Sequence, residues 1–116
     1  MNKEMNKEMN KEKFKSELIS ACTSNKPESF LPFLLKVEIE TETTNKMDFY
    51  NFFKGMLDNA HQEAQGKLKV KIEVPNWETD KELVYYNFFD EVHLHPLLSL
   101  TIKENNNKLN LDIIPF

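Results

Sequence analysis

His93 and His95 are the one pair of side chains whose type and spacing suggest metal chemistry. Imidazole is a common ligand for zinc and neighbouring metals. At i and i+2 on a strand two side chains share a face, so both rings could meet one cation. Asp90 and Glu91 lie close by in sequence. A catalytic zinc takes three protein ligands and keeps one position open. His61, on the margin of a helix upstream, or one of those carboxylates would have to complete the set. No spacing forces this, and two solvated strand histidines fit the sequence better. A metal-binding protein or enzyme using His93 and His95 is the third of three functional readings.

The run Leu83-Val84-Tyr85-Tyr86-Asn87-Phe88-Phe89, with Trp77 before it, is apolar on both faces if it is a strand. Both faces then need cover from a second layer, barrel closure or a partner. Trp77, Tyr85, Tyr86, Phe88 and Phe89 are therefore the candidate surface for a protein partner or a second copy of the chain. Aromatic rings also stack on nucleotide bases. Lys67, Lys69 and Lys71 are the cation cluster that could accompany them. A net charge of −4, and the absence of Arg among the fifteen basic residues, weigh against nucleic acid.

Other chemistries lack their residues. With Gly55 and Gly66 the only glycines, no phosphate loop or dinucleotide fingerprint exists. No Gly-x-Ser-x-Gly elbow occurs. No cofactor is expected. The row Glu38, Glu40, Glu42 reads as the solvated side of a strand rather than a catalytic carboxylate pair. Cys22 has no electropositive neighbours in sequence and reads as a small core residue.

A chain of 116 residues with 40% apolar content and nine Phe is expected to be one domain. Enrichment in Lys, Asn, Ile and Phe points to an AT-rich coding sequence, as in a low-GC bacterium. A single Cys fits a reducing cytoplasm. No apolar run approaches the ~20 residues of a membrane span, so no membrane partner is expected. Ile19-Ser20-Ala21-Cys22 has the form of a lipobox, but the preceding Lys11 to Leu18 include no apolar h-region.

The surrounding elements set where these residues stand. The first twelve residues repeat Met-Asn-Lys-Glu three times and are expected to be a frayed, low-complexity end before one α+β domain over 13–116. Phe14, Leu18, Ala21 and Cys22, with Ile19, share a helical face and predict a helix over Lys11–Cys22. Alternation of Leu35, Val37 and Ile39 predicts a strand over Phe33–Thr41. Asn45 caps a long helix whose apolar face is Phe49, Phe52, Phe53, Met56, Leu57, Ala60 and Ala64, with Gly66 as a left-handed cap. Leu68, Val70, Ile72 and Val74 point inward from a strand over Lys67–Val74. The acidic row on the first strand and the basic row on the second predict that these two are parallel neighbours.

A meander completes the chain: a strand over 83–89, a long strand Val92–Lys103 disturbed at Pro96, and a strand Lys108–Ile114 after the turn at Asn105-Asn106-Asn107. A helix over 80–91, opened by Thr79 and Glu82, is the alternative to the first of these. The expected fold is α+β, a mainly antiparallel, strongly curved sheet with one long amphipathic helix and an N-terminal helix. A closed pseudo-barrel plugged by the long helix is the alternative. The order strand–helix–strand–meander resembles the small pseudo-barrels of RNA-binding domains, which implies an RNA-binding regulator as the second functional reading. The leading reading is a small non-enzymatic cytoplasmic regulatory or protein-interaction protein.

Overall fold

Asn25 ends the first helix. It adopts the left-handed conformation at φ 55°, which Asn tolerates better than most residues. The next amide, Lys26 N–H, then donates to the Ala21 carbonyl at 3.0 Å, as in a Schellman cap. The computed structural model describes residues 3–36, 39–40, 45–105 and 108–114. Within them α1 spans Lys3–Ser24, so the helix begins earlier than the expected Lys11 and takes in most of the repeat. Its inner face is the expected one: Phe14, Leu18, Ala21 and Cys22 are fully buried.

Pro27 opens a single 3-10 turn, Pro27–Ser29, which places Phe30 in the core. The Phe30 carbonyl accepts from the amides of Phe33 and Leu34 at 3.0 and 2.9 Å and starts α2, Leu31–Lys36. Pro32 sits in its first turn, where its missing N–H costs nothing. The expected strand over Phe33–Thr41 is thus helical at its start. Only Ile39–Glu40 of that segment form a strand, β1, and residues 37, 38 and 41 lie outside the described part. Helical spacing wins because it buries Phe30 and Leu34 together and leaves Leu35 exposed, the reverse of the alternation.

Helix α3 spans Lys46–Glu63 and begins as expected, with Asn45 Oδ1 accepting the Asp48 amide at 2.9 Å. Its buried face is Phe49, Tyr50, Phe53, Leu57 and Ala60. Phe52, expected on that face, is half exposed, and Tyr50 takes the place beside Phe30. Beyond the helix Gly66 has φ 86°. A Cβ there would lie within van der Waals overlap of the Glu91 side chain. The flexible carboxylate can move, but the left-handed backbone cannot be relieved as easily. Gly66→Ala is expected to lower stability by about 1–2 kcal/mol in urea denaturation.

Strands β3 (Val84–Phe89), β4 (Leu98–Asn105) and β5 (Lys108–Ile114) form the expected antiparallel meander, and β2 (Lys69–Glu73), expected beside the first strand, instead pairs antiparallel with β3. The 83–89 run is a strand and not a helix. Residues 106 and 107 of the Asn turn lie outside the described part. Strand β1 adds to β5 in parallel, giving the order β1-β5-β4-β3-β2. Three helices on a mainly antiparallel sheet make the fold α+β.

The expected pairing of the first two strands does not form: β1 and β2 are the opposite edges of the sheet. Closure into a barrel would require that pairing, so the sheet is open: neither the expected strong curvature nor the pseudo-barrel forms. Charge complementarity between Glu and Lys rows is a weak force beside apolar register, and β1 finds its register on Leu109 instead. The helices cover one face, where Tyr86, Phe88, Leu98, Leu100, Ile102, Leu109 and Leu111 meet Phe14, Leu18, Phe30, Phe53 and Leu57.

Candidate functional site

Cross-strand register decides which site residues meet. In β3 the residues Val84, Tyr86 and Phe88 point to the helices, and Tyr85, Asn87 and Phe89 point to the helix-free face. Two of the expected surface aromatics are therefore core: Phe88 is fully buried and Tyr86 is 6% exposed. On the helix-free face Lys69 stands opposite Phe89, Lys71 opposite Asn87, and Glu73 opposite Tyr85. Ser99 and Thr101 continue these rows across β4, opposite Asn87 and Tyr85. Lys69 and Lys71 thus share a face with Tyr85 and Phe89, while Lys67 lies just before β2 and is exposed.

The β2–β3 connection folds back over one end of this face. Trp77 packs edge-on against Tyr85, with ring centroids 5.5 Å apart, yet is itself 71% exposed. The Tyr85 hydroxyl donates to Glu78 Oε1 at 2.5 Å. Lys103 donates to Asp80 at 2.7 Å and pins the same connection to β4. Further along, Ser99 Oγ donates to Asn87 Oδ1 at 2.6 Å, and Asn87 Nδ2 donates to Glu73 at 3.2 Å.

Burial first, then the Glu78 hydrogen bond and charge, push the Tyr85 phenol up to about 12. The hydrogen bond from Tyr85 in turn holds Glu78 below its usual range, and that from Lys103 does the same for Asp80. Because the folded phenol lies above its unfolded value of ~10, its stabilising contribution is complete below pH ~10 and is lost as pH rises toward the folded value. A tyrosinate absorbance titration should show a tyrosine ionising near pH 12, and Tyr85→Phe should remove that step.

His93 and His95 are not on a strand. Strand β4 starts at Leu98, and residues 91–97 form a loop before it. The cause is Asp90, whose side chain has no solvent exposure. It accepts the amides of Gln65, Val92 and His93 at 2.9, 3.1 and 2.7 Å, and its Oδ2 lies 2.7 Å from His93 Nδ1. Two of these amides lie two and three residues onward, so the carboxylate turns the chain where alternation predicted extension. Val92 and Leu94, expected to face the core, are 59% and 99% exposed. Burial opposes the charge of Asp90, but the hydrogen bonds outweigh it and hold the carboxyl far below the usual carboxylate range. In the sequence Asp90 stands out only as a neighbour of the histidines. The Asp-x-x-His spacing of a side-chain turn is the signal that could have marked it.

The two imidazoles remain close, with centroids 5.5 Å apart and planes at 71°. His61 is engaged elsewhere, its Nε2 lying 2.7 Å from the Cys22 carbonyl oxygen. Among the described residues no group of three or more His, Cys, Asp or Glu is placed to hold a metal ion. Cys22 is core as expected, and burial pushes its thiol up, away from the reactive thiolate. Of the row Glu38, Glu40, Glu42, the first and last lie outside the described residues.

A cleft of about 360 Å³ opens on the helix side, lined by Lys15, Glu82, Val84, Tyr86, Ile102 and Glu104. Lys15 and Glu104 close its rim as an ion pair. No described helix is long and apolar enough to cross a membrane. No protein-family model matches the chain, and neither known proteins nor solved structures yield a match.

Proposed function

We propose that this chain is a small, non-enzymatic cytoplasmic interaction protein that holds a protein partner on the helix-free face of its sheet. The observation that carries this reading is Trp77: a large ring, 71% exposed, held over a buried Tyr85 by a hydrogen-bonded connection. Tryptophan is among the residues that most often anchor protein interfaces, and a fixed ring loses little conformational freedom on binding. Phe89, half-buried on the same face, is a second apolar contact one row beyond Lys71, Asn87 and Ser99.

Capture from a host extract tests this by difference. The same protein should be retained by the parent chain and lost by Trp77→Ala, with nuclease treatment making no change. Equal retention by parent and variant contradicts the reading.

The register of Lys69 and Lys71 beside Phe89 and Asn87 supports a second reading, an RNA-binding regulator. In that case the captured material is RNA, its retention falls with salt, and Lys69→Gln with Lys71→Gln weakens it. Glu73 and Asp112, on the same face by register, oppose that field.

A further inference from the structure

We propose that the loop over residues 91–97 binds a first-row transition-metal cation such as Zn²⁺ through the imidazoles of His93 and His95. The inference does not depend on the interaction face. Zinc stands ~2.0–2.1 Å from an imidazole nitrogen, which is itself ~1.1 Å from its ring centroid, so two rings on one tetrahedral ion have centroids about 5 Å apart. The observed separation is 5.5 Å, and the inclined planes, at 71°, are free of face-to-face stacking. The centroid separation is compatible with a shared ion, which then has to draw one nitrogen of each ring toward it.

Asp90 supplies the orientation. An ionised Asp90 accepts a hydrogen bond from His93 Nδ1, so that in the neutral ring Nε2 carries the lone pair and is the ligating atom. A carboxylate behind an imidazole in this way is the usual outer shell of a metal-bound histidine. Asp90 is a positioning residue here and not a ligand, because its oxygens are already taken by three backbone amides and the ring.

The loop is also held at both ends. The Glu91 amide donates to the Gln65 carbonyl at 3.1 Å, and the Leu97 amide to the Phe88 carbonyl at 2.9 Å. His95 is exposed and the His93 side chain is 33% exposed, so water can fill the remaining coordination positions. Two protein ligands with open positions describe a docking point for a cation rather than a closed structural site.

The test is a titration of the full chain with ZnCl₂ by calorimetry, and by NMR of the histidine ring nitrogens. Saturable binding of one Zn²⁺ is expected, with the ring signals of His93 and His95 moving together and that of His61 unmoved. His95→Ala, at an exposed position that leaves the fold intact, should weaken binding at least tenfold, and so should His93→Ala. Asp90→Asn should weaken it with both imidazoles still present and should shift the His93 tautomer signal in the metal-free protein. No saturable binding up to millimolar Zn²⁺, or binding unchanged in the His93→Ala/His95→Ala protein, overturns the proposal.

Discussion

Replacing Phe30 by Ala should cost about 3–5 kcal/mol, the range for removing a large buried aromatic ring. That is a large share of the ~5–15 kcal/mol that holds a typical domain together. Phe30 is fully buried, and its ring meets those of Phe14, Tyr50 and Phe53 at centroid distances of 5.9, 6.0 and 4.9 Å. These rings come from α1 and α3, so one side chain joins both long helices to the turn between them. The contact with Phe53 is edge-to-face, a favoured geometry worth more than its area alone. Urea denaturation should show the midpoint falling steeply with little change in slope. Phe52→Ala supplies the contrast. Phe52 lies one position away from Phe53 but is 49% exposed, and its loss should cost less than about 1 kcal/mol. Equal losses from the two changes would mean that the aromatic cluster is misplaced.

Asp90→Asn should release the loop that carries both histidines. The carboxylate accepts from Gln65, Val92, His93 and the His93 ring, all of which are donors. An amide offers one oxygen and one NH₂ group, so a donor must then face a donor. Hydrogen exchange should show the amides of Gln65 and His93 losing protection, while those of β3 and β4 keep theirs. The same contacts set a pH dependence. The folded carboxyl is held below its unfolded value of ~3.9, so its contribution is complete above that pH and is lost as pH falls below it. The parent loop should therefore loosen in acid, and the Asn variant should be loose already at neutral pH.

Much of the fold was legible from local rules. Asn45 as a cap, the positive φ at Gly66 and the parity of Leu98, Leu100, Ile102, Leu109 and Leu111 depend on a few neighbouring residues. The 33–41 segment was not legible, because alternation at Leu35, Val37 and Ile39 competed with a helix whose reason lies far away in sequence. Phe30 and Leu34 bury against α1 and α3, and that packing decides the conformation. Opposite charge rows likewise suggested a neighbour that apolar register did not choose.

The candidate sites were legible in part. The aromatic run was found, but its two faces could be told apart only once β2 and β4 fixed which side the helices occupy. Tyr86 and Phe88 then fell to the core, and Tyr85, Phe89 and Trp77 to the other side. The proximity of the two histidines was legible, but not its cause. A strand would place the rings on one face by pleat, whereas here a buried carboxylate turns the loop and the rings still meet.

Whether a partner protein covers Trp77 can be read at the ring itself. Trp77 is the only tryptophan, so 5-fluorotryptophan labelling yields one ¹⁹F resonance. In buffer that resonance should sit at a solvent-exposed shift. On adding nuclease-treated extract of the host cytosol it should move and broaden beyond a labelled reference protein in the same extract. A resonance that keeps its position and matches the reference in width would contradict a partner-covered Trp77.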